Sequence, residues 1–257
     1  MHKIIGGQSS TYGSHPWMAR VMVLVRDRAY HLCGGTIIAD RWILTAAHCF
    51  AFEKNNIIVK VGDHNLVTRD DHEQVFVVDK IFIHETASST KPSKTDQKST
   101  KTLKKPETTK LRPFIQFNHY VQPACLPSAS TTYEAGMKCE VTGWGLIDED
   151  SLTPPNSLHS AILPIINETE CKRLYKDLFK LFVTEDSFCA GYATGEVDTC
   201  SGDSGGPLIC NIDGVHTLMG VTSRGNGCAN KNSPGIYAKV ANFISWIEET
   251  ISKYDHF

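Results

Sequence analysis

The sequence lacks a long hydrophobic run and a strong charge of either sign. No apolar stretch approaches the roughly 18 residues that span a bilayer, so no membrane span is predicted. Residues 1–10 hold a single apolar pair, Ile4 and Ile5, and we expect no secretory leader there. The 26 basic and 28 acidic side chains nearly cancel, to a net charge of -2. This balance excludes a protein whose whole surface is built to bind nucleic acid.

Glycine, proline and cysteine are present in ordinary amounts. The 19 glycines and 11 prolines in 257 residues exclude collagen and wholesale disorder. The length suits one large domain or two of about 130 residues each. Nine cysteines are too few for a small scaffold held together by disulfides, and their number is odd. In an oxidised protein, an odd count leaves one sulfur that pairs outside the chain.

Most of the chain alternates short β-rich segments with turns. Residues 57–61, 75–83 and 217–223 are rich in Val, Ile, Phe and Thr and are bounded by Gly and Asn/Asp clusters. Many short strands with few helices predict a barrel or a sandwich. A short helix capped by Asn167 is also expected. The apolar residues of an amphipathic C-terminal helix recur at helical spacing, at Val240, Phe243, Ile244, Ile247 and Ile251.

One segment, residues 86–113, departs from this pattern. Its 28 residues include eleven Ser or Thr, eight basic and two acidic side chains, so its net charge is +6; the 18 basic and 26 acidic residues elsewhere give -8. Its apolar residues, Ala87, Leu103 and Leu111, are too few to offset the entropy of ordering. We therefore predict a solvated loop rather than a patch for nucleic acid or heparin. A flawed gene model that replaced an ordinary strand is a further interpretation.

Two short strings carry the chemistry. In residues 202–207, Gly-Asp-Ser-Gly-Gly-Pro, glycines flank Ser204 and permit a tight turn. The amides of Gly202 and Ser204 can then point to one spot, where a carbonyl oxygen becomes an oxyanion. Serine needs a base to act as a nucleophile, and residues 45–49, Thr-Ala-Ala-His-Cys, supply His48. The two strings together indicate nucleophilic catalysis by Ser204.

Around these strings the chain resembles the chymotrypsin-like serine proteases, in their trypsin-like branch. The resemblance runs from Ile4 to about Ile251 and is interrupted in the lysine-rich insertion. It implies an all-β fold of two antiparallel six-stranded β-barrels with a C-terminal α-helix, and an active site between the barrels. It also implies extracellular secretion and hydrolysis of peptide bonds. The motifs that carry it are Ile4-Ile5-Gly6-Gly7, Cys33-Gly34-Gly35-Thr36, the His48 string, Gln122-Pro123-Ala124-Cys125-Leu126-Pro127, Gly143-Trp144-Gly145, the Ser204 string and Pro234-Gly235-Ile236-Tyr237.

The same resemblance divides the chain and implies a zymogen. Cleavage between Lys3 and Ile4 would free an amino group that pairs with Asp203 and so organises the oxyanion hole and the pocket. The chain as given still carries the residues before Ile4, so it is expected to be inactive or weakly active. The expected segments are a propeptide remnant at 1–3, a protease domain at 4–253, an N-terminal barrel at about 4–120 with the insertion 86–113, a C-terminal barrel at about 121–240 and a helix at 241–252.

The resemblance implies a triad in which Ser204 attacks, His48 moves the proton and an aspartate orients His48. The family's aspartate opens an apolar strand, which this sequence lacks. Counting forward from the Ile-Phe-Ile-His string before the insertion reaches Asp96, which we take as the third member; counting backward from the Lys-Leu-Arg-Pro string lands on Lys105. Losing the orienting carboxylate costs on the order of 10⁴ in turnover in the family's template case. A catalytically impaired homologue that binds or regulates is therefore the alternative function.

The primary specificity pocket is expected around Asp198, six residues before Ser204. A buried carboxylate there demands a cationic side chain, because leaving it unpaired is costly. Gly225 and Gly235 fall where the family needs small residues to admit a long side chain. The resemblance implies protein or peptide substrates cut after Arg or Lys, and protease inhibitors as partners. Arg224 stands where the pocket wall usually has an aromatic residue, so the extended subsite preference is open; a shift toward acidic neighbours is one interpretation.

An acidic loop, residues 63–73, resembles the family's calcium loop. No cofactor is implied for catalysis, but a structural calcium ion is implied here. Carboxylates of Asp63 and Glu73, carbonyls of Asn65 and Thr68, and Asp70 through water would supply hard oxygen ligands. The alternative is an acidic turn that holds no ion.

The resemblance also implies partners for eight of the nine cysteines. The ninth, Cys125, occupies a position that ties the protease domain to an upstream propeptide in multidomain relatives. Asn167-Glu168-Thr169 is a glycosylation sequon, which matters if the chain is secreted. The implied pairs are Cys33 with Cys49, Cys139 with Cys210, Cys171 with Cys189, and Cys200 with Cys228.

Overall fold

The computed structural model of the chain describes residues 4–26, 28–50, 54–84, 106–147, 151, 153–176 and 183–255. Its strands are β1 (Gln8–Ser9), β2 (Met18–Val25), β3 (Arg28–Ala39), β4 (Trp42–Ala46), β5 (Ile57–Val61), β6 (Gln74–Ile83), β7 (Pro106–Arg112), β8 (Lys138–Gly143), β9 (His159–Pro164), β10 (Ser187–Ala190), β11 (Pro207–Ile212), β12 (Val215–Arg224) and β13 (Gly235–Lys239). Its helices are α1 (Glu168–Leu174) and α2 (Ile244–Tyr254), with 3₁₀ helices at Ala47–Phe50, Lys54–Asn56 and Val240–Phe243. No helix within the described ranges is long and apolar enough to cross a membrane.

Six strands close into an antiparallel barrel in the order β2-β3-β4-β7-β6-β5. Ladder pairing between β2 and β5, with Ala19 opposite Val61, joins the two ends of the sheet. Closure leaves this sheet without an exposed edge. Fully buried side chains from successive strands, such as Ile43, Val59 and Leu111, fill its interior. The predicted N-terminal barrel is therefore present.

The second half is a curled sheet of seven strands in the order β1-β9-β8-β11-β12-β13-β10, again antiparallel throughout. It is a half-barrel, with the two-residue strand β1 added to β9 at one edge. The predicted fold class, all-β with two antiparallel six-stranded barrels and a C-terminal helix, is confirmed; in the described residues the second half has seven strands and curls without closing. The predicted segments 57–61, 75–83 and 217–223 correspond to β5, β6 and β12.

The C-terminal helix α2 returns from the second half to pack against the first barrel. Its apolar face, including Ile247, is buried in the same cluster that fills the barrel. The Trp42 indole N–H on β4 donates a hydrogen bond to Asp255 Oδ1 just after the helix, at 3.0 Å. The Lys110 ammonium on β7 donates to the Tyr254 carbonyl at the helix end. These contacts join α2 to strands β4 and β7 of the first barrel.

The prediction of a solvated loop over residues 86–113 is wrong in its last part. Residues 106–112 form β7, which pairs with β4 on one side and β6 on the other. Thr108, Thr109 and Leu111 are fully buried. Threonine is β-branched and suits a pleated, buried surface, so a polar composition did not prevent a strand. Residues 85–105, which carry most of the segment's charge, lie outside the described residues.

We expect Leu111→Ala to lower the free energy of unfolding by about 2–5 kcal/mol, because the substitution leaves a cavity in the barrel interior. Ile162→Ala on β9 is the control, since that side chain is 46% exposed and its loss should change stability by about 0.5 kcal/mol or less. Urea denaturation followed by circular dichroism measures both. Equal stabilities for the two variants would contradict the strand.

Candidate active site

Ser204 lies in a tight loop that both halves of the molecule hold in place. Its carbonyl accepts a hydrogen bond from the Gly34 amide on β3, at 2.9 Å. On the other side, the Gly205 amide donates to the Thr222 carbonyl on β12, at 2.8 Å. Gly205 has a φ of +79°, and a Cβ there would collide with Thr45 Oγ1, so the position requires glycine. The loop therefore places Ser204 at the seam between barrel and sheet.

His48 lies at this seam, in the short 3₁₀ helix that follows β4. Its neighbour Cys49 is bonded to Cys33, and the Cys49 sulfur lies 3.8 Å from the Ser204 carbonyl oxygen. A ring nitrogen of His48 lies within 4.8 Å of both sulfurs. The structure thus brings His48 next to the Ser204 loop. Because the two sulfurs are bonded to each other, they are not available as thiolate ligands for a metal.

A buried carboxylate, Asp203, supports the loop from beneath. Its Oδ1 accepts a hydrogen bond from the Gly145 amide at 2.7 Å, and its Oδ2 accepts one from the Cys200 amide at 2.9 Å. Burial raises the pKa of Asp203 to about 6. Two amide donors reduce the cost of the buried charge but bring no cation to it. A cationic partner would therefore be stabilising at this position.

The described chain begins at Ile4, whose side chain is fully buried in the core of the second half. The next residue, Ile5, accepts a hydrogen bond through its carbonyl from the Asp198 amide, at 3.2 Å. Ile4 therefore lies inside the half of the molecule that also holds Asp203. The pairing of an Ile4 amino group with Asp203 stays a prediction, because residues 1–3 lie outside the described residues.

A cavity of about 260 Å³ opens beside Ser204. Asp198, which is 2% exposed, lies next to it: its Oδ1 accepts a hydrogen bond from the Thr199 amide at 2.8 Å. A Cβ at Gly235 would stand 2.9 Å from the same oxygen, so that glycine keeps space open over the carboxylate. Burial raises the pKa of Asp198 to about 7. The cavity is lined by Thr199, Cys200, Ser201, Ser204, Thr222, Ser223, Arg224, Gly225, Gly227 and Cys228.

Comparison with known proteins agrees with this arrangement. A family model described as Trypsin matches residues 4–247. The chain belongs to the trypsin family. The serine loop, the histidine turn and the pocket described above lie within the matched range, so this domain is a trypsin-like serine endopeptidase by family.

Curated relatives of this trypsin-family chain are longer proteins. The hepatocyte growth factor activator serine protease of Mus musculus is 36% identical over 251 residues, which cover 97% of this chain and 37% of the relative. The Homo sapiens protein of the same name is 34% identical, with 97% and 36% covered. The urokinase-type plasminogen activator of Gallus gallus is 35% identical over 260 residues, with 97% and 58% covered. The chain thus spans between 36% and 58% of the relatives' lengths.

The third member of the trypsin-family triad stays a prediction, because Asp96 lies outside the described residues. The strand register can be compared with the forward count, which reached Asp96, and with the backward count, which reached Lys105. Ala46, two residues before His48, pairs with Pro106 at the start of β7. Pro106 directly follows Lys105, whereas Asp96 lies ten residues before it. The register therefore agrees with the backward count, which lands on Lys105.

Arg224 is the last residue of β12 and lines the cavity beside Gly225. Its side chain is half-buried, and this burial lowers the pKa of its guanidinium. The Tyr175 hydroxyl lies close enough to oppose that shift, and it donates a hydrogen bond to the Pro234 carbonyl. The structure thus puts Arg224 on the cavity wall. Its preference for acidic neighbours stays a prediction.

The acidic loop brings its carboxylates together. One oxygen each from Asp63, Asp70 and Glu73 lie within 4.8 Å of one another. The Asn65 side-chain oxygen accepts hydrogen bonds from two amides within the loop. The Lys60 ammonium also enters this cluster, 2.8 Å from Glu73 Oε2. Sequence patterns did not single out Lys60, which lies before the loop on β5.

The structure forms the four disulfides that the resemblance implies, and the remaining cysteine, Cys125, is free and exposed. Disulfides persist in oxidising compartments, as expected for an extracellular protein. Asn167 caps α1 as predicted: its Oδ1 accepts a hydrogen bond from the Thr169 amide at 2.9 Å. Its glycosylation stays a prediction. The disulfide pairs are Cys33–Cys49, Cys139–Cys210, Cys171–Cys189 and Cys200–Cys228.

Sequence reasoning missed one residue that holds the predicted oxyanion loop, His31 on β3. Its Nε2 donates a hydrogen bond to the Gly202 carbonyl at 2.9 Å, and its ring packs edge-on against Trp144. Burial, together with nearby Arg20, lowers the pKa of His31 to about 4, so the ring is neutral at neutral pH. The sequence signal that could have identified His31 is its position two residues before Cys33.

We expect His31→Ala to lower kcat on the order of 10-fold or more with little change in KM, because the Gly202 peptide loses its anchor; losing a whole oxyanion donor costs about 10²–10³. Hydrolysis of an Arg-containing peptide amide by the chain nicked after Lys3 measures the effect. His119→Ala, at an exposed histidine, is the control. A normal kcat in His31→Ala would show that the bond does not position the loop.

Proposed function

We propose that this domain hydrolyses peptide bonds after Arg or Lys, with Ser204 as the nucleophile. One observation carries the proposal: the Ser204 loop, held from both halves of the molecule, opens on a cavity beside the buried Asp198 carboxylate. A nucleophile next to a pocket with a buried anion suits a substrate whose side chain ends in a cation.

The proposed reaction uses His48 and the Ser204 loop at the seam between the two halves. His48 accepts the Ser204 hydroxyl proton as the serine attacks, and gives it to the departing amine. Water, deprotonated by His48, then attacks the serine ester and releases the acyl group as a carboxylic acid, which restores the Ser204 hydroxyl. The amides of Gly202 and Ser204 stabilise the oxyanion that forms on the carbonyl oxygen. Asp198 has a pKa of about 7, so an entering guanidinium or ammonium group favours its ionised form. Substrate binding and ionisation of the pocket therefore reinforce each other.

Activation by cleavage after Lys3 is part of the proposal. The new α-amino group of Ile4 would supply the cation that the buried Asp203 carboxylate lacks among its amide donors. Ile4 is already buried in the half of the molecule that holds Asp203, which supports this pairing. An ionised Asp203 would then hold the Ser204 loop in its active form.

The setting of the domain is also a proposal. Four disulfides support secretion to the extracellular space, where the Asn167 sequon would carry a glycan. Cys125 is exposed and free, so it is available for a disulfide to an upstream propeptide or domain. The partial coverage of longer relatives supports such a segment. Substrates and protease inhibitors would be the other partners.

A second candidate function is a catalytically impaired homologue that binds or regulates. The observation that favours it is the pairing of Ala46 with Pro106, which agrees with the count that lands on Lys105 instead of an acid. A lysine at the orienting position would put a cation where the family has its carboxylate, while the pocket and the Ser204 loop stay intact. Such a protein would bind basic side chains and cleave them slowly.

Nicking after Lys3 with immobilised trypsin is expected to raise hydrolysis of an Arg-containing peptide amide, on the order of 10²-fold, because the oxyanion hole becomes ordered. N-terminal sequencing verifies the new Ile4 end. Lys3→Gln, which trypsin does not cleave, is the control and should stay at the starting rate. A fully nicked chain with no gain in rate would contradict the proposed activation.

The identity of the third triad member is tested on the nicked chain with two substitutions. If Asp96 orients His48, Asp96→Asn lowers kcat on the order of 10⁴. If the backward count is right, Asp96→Asn leaves kcat unchanged and Lys105→Asp raises it, up to about 10⁴-fold.

Lys104→Asp is the matched control, because it makes the same change of charge one residue away. Labelling of Ser204 with a fluorophosphonate shows, for each variant, whether a reactive nucleophile is present. The impaired homologue is supported if the parent is slow and Lys105→Asp restores turnover. It is excluded if the parent is fast and Asp96→Asn is slow.

A further inference from the structure

The acidic loop of residues 63–73 already contains a cation supplied by the chain. Lys60 extends from β5 into the loop, and its ammonium lies 2.8 Å from Glu73 Oε2 and 3.8 Å from Asp63 Oδ2. Arg20, on the neighbouring strand β2, pairs with the same Asp63 oxygen at 2.9 Å. The acidic side chains are buried at this point: Asp63 and Glu73 are 0% and 3% exposed.

The spacing of the carboxylate oxygens suits calcium, but a positively charged side chain already lies among them. Calcium binds oxygen at about 2.3–2.6 Å, so its ligands stand up to about 5 Å apart, as the oxygens of Asp63, Asp70 and Glu73 do. The Lys60 ammonium reaches two of those three carboxylates. A divalent ion bound there would lie within a few ångströms of that positive group, which repels it.

The hydrogen bonds of the loop lead to the same conclusion. Asp70 Oδ2 accepts from the amides of His64 and Asn65, at 2.7 and 2.8 Å, so that carboxylate is engaged by the backbone. Glu73 Oε1 accepts a hydrogen bond from the Asp70 amide at 3.1 Å, and Glu73 Oε2 lies 2.8 Å from the Lys60 ammonium. Both carboxylate oxygens of Glu73 are therefore engaged by groups of the chain itself. The residues present do not fit a bound calcium ion.

We propose that Lys60, with Arg20, is the resident cation of this loop, so that the trypsin-family domain keeps the loop folded without calcium. The two cations balance the charges of Asp63 and Glu73, the two acids that they contact. Lys60 is the residue that excludes the metal, because its ammonium lies between the two acids while Arg20 approaches Asp63 alone.

Calorimetric titration of the full chain with calcium chloride tests the proposal without any assay of activity. The parent chain should release no binding heat up to millimolar calcium, and calcium or EDTA should leave its Tm unchanged. Lys60→Met removes the ammonium while keeping the length of the side chain. It should gain a calcium site with a Kd of about 10⁻⁴–10⁻³ M, the range of extracellular modules, and its Tm should rise when calcium is added.

Two further variants make the result specific. Lys138→Met, at an exposed lysine that begins β8, removes one positive charge elsewhere and should not gain calcium binding. Adding Glu73→Gln to Lys60→Met should abolish the gained site. If Lys60→Met does not fold, Lys60→Gln replaces it.

The proposal is overturned if the parent chain binds calcium and Glu73→Gln abolishes that binding, whatever the Lys60 variants do. A folded Lys60 variant that still binds no calcium also overturns it, because Lys60 would then not be what excludes the metal. Calcium binding gained in Lys60→Met and lost again with Glu73→Gln supports it.

Discussion

The buried carboxylate of Asp203 is the constraint on which the rest of the site depends. A charge completely removed from water must be met by donors or by a cation, and two backbone amides, of Gly145 and Cys200, provide the donors. A Cβ at Gly143 or Gly145 would collide with this carboxylate, so both positions require glycine. Since Asp203 directly precedes Ser204, its fixed position determines where Ser204 lies.

The same site depends on both halves of the molecule at once. The first barrel supplies the Gly34 amide and the turn that carries His48, while β12 of the second half supplies the Thr222 carbonyl. Neither half alone would bring His48 next to the Ser204 loop. The contacts of α2 with β4 and β7 also join the C-terminal helix to the first barrel.

In the acidic loop, as at Asp203, groups of the chain itself are the partners of buried carboxylates. The side chains of Asp63 and Glu73 are almost wholly buried, and their partners are Arg20 and Lys60 rather than donors from the backbone alone. In both places a buried acid organises the surrounding backbone, but the partner differs. Backbone amides, and in the proposal the Ile4 amino group, are the partners of Asp203. Side-chain cations from neighbouring barrel strands are the partners of the acids in the loop. The identity of the partner decides whether a metal is needed.

The sequence by itself determined the family, the fold class and the residues at the centre of the site. Ser204, His48 and the paired cysteines belong to short strings whose backbone and bonding requirements are local, so they can be recognised without coordinates. The tertiary structure decided the features that depend on which strands pair and on which distant side chains come into contact. Composition averaged over residues 86–113 concealed the strand β7, whose buried threonines are stabilised by pairing with two neighbours. The contacts of His31 with Gly202 and of Lys60 with Glu73 join residues on different strands or loops, and such contacts exist only once the barrel has closed.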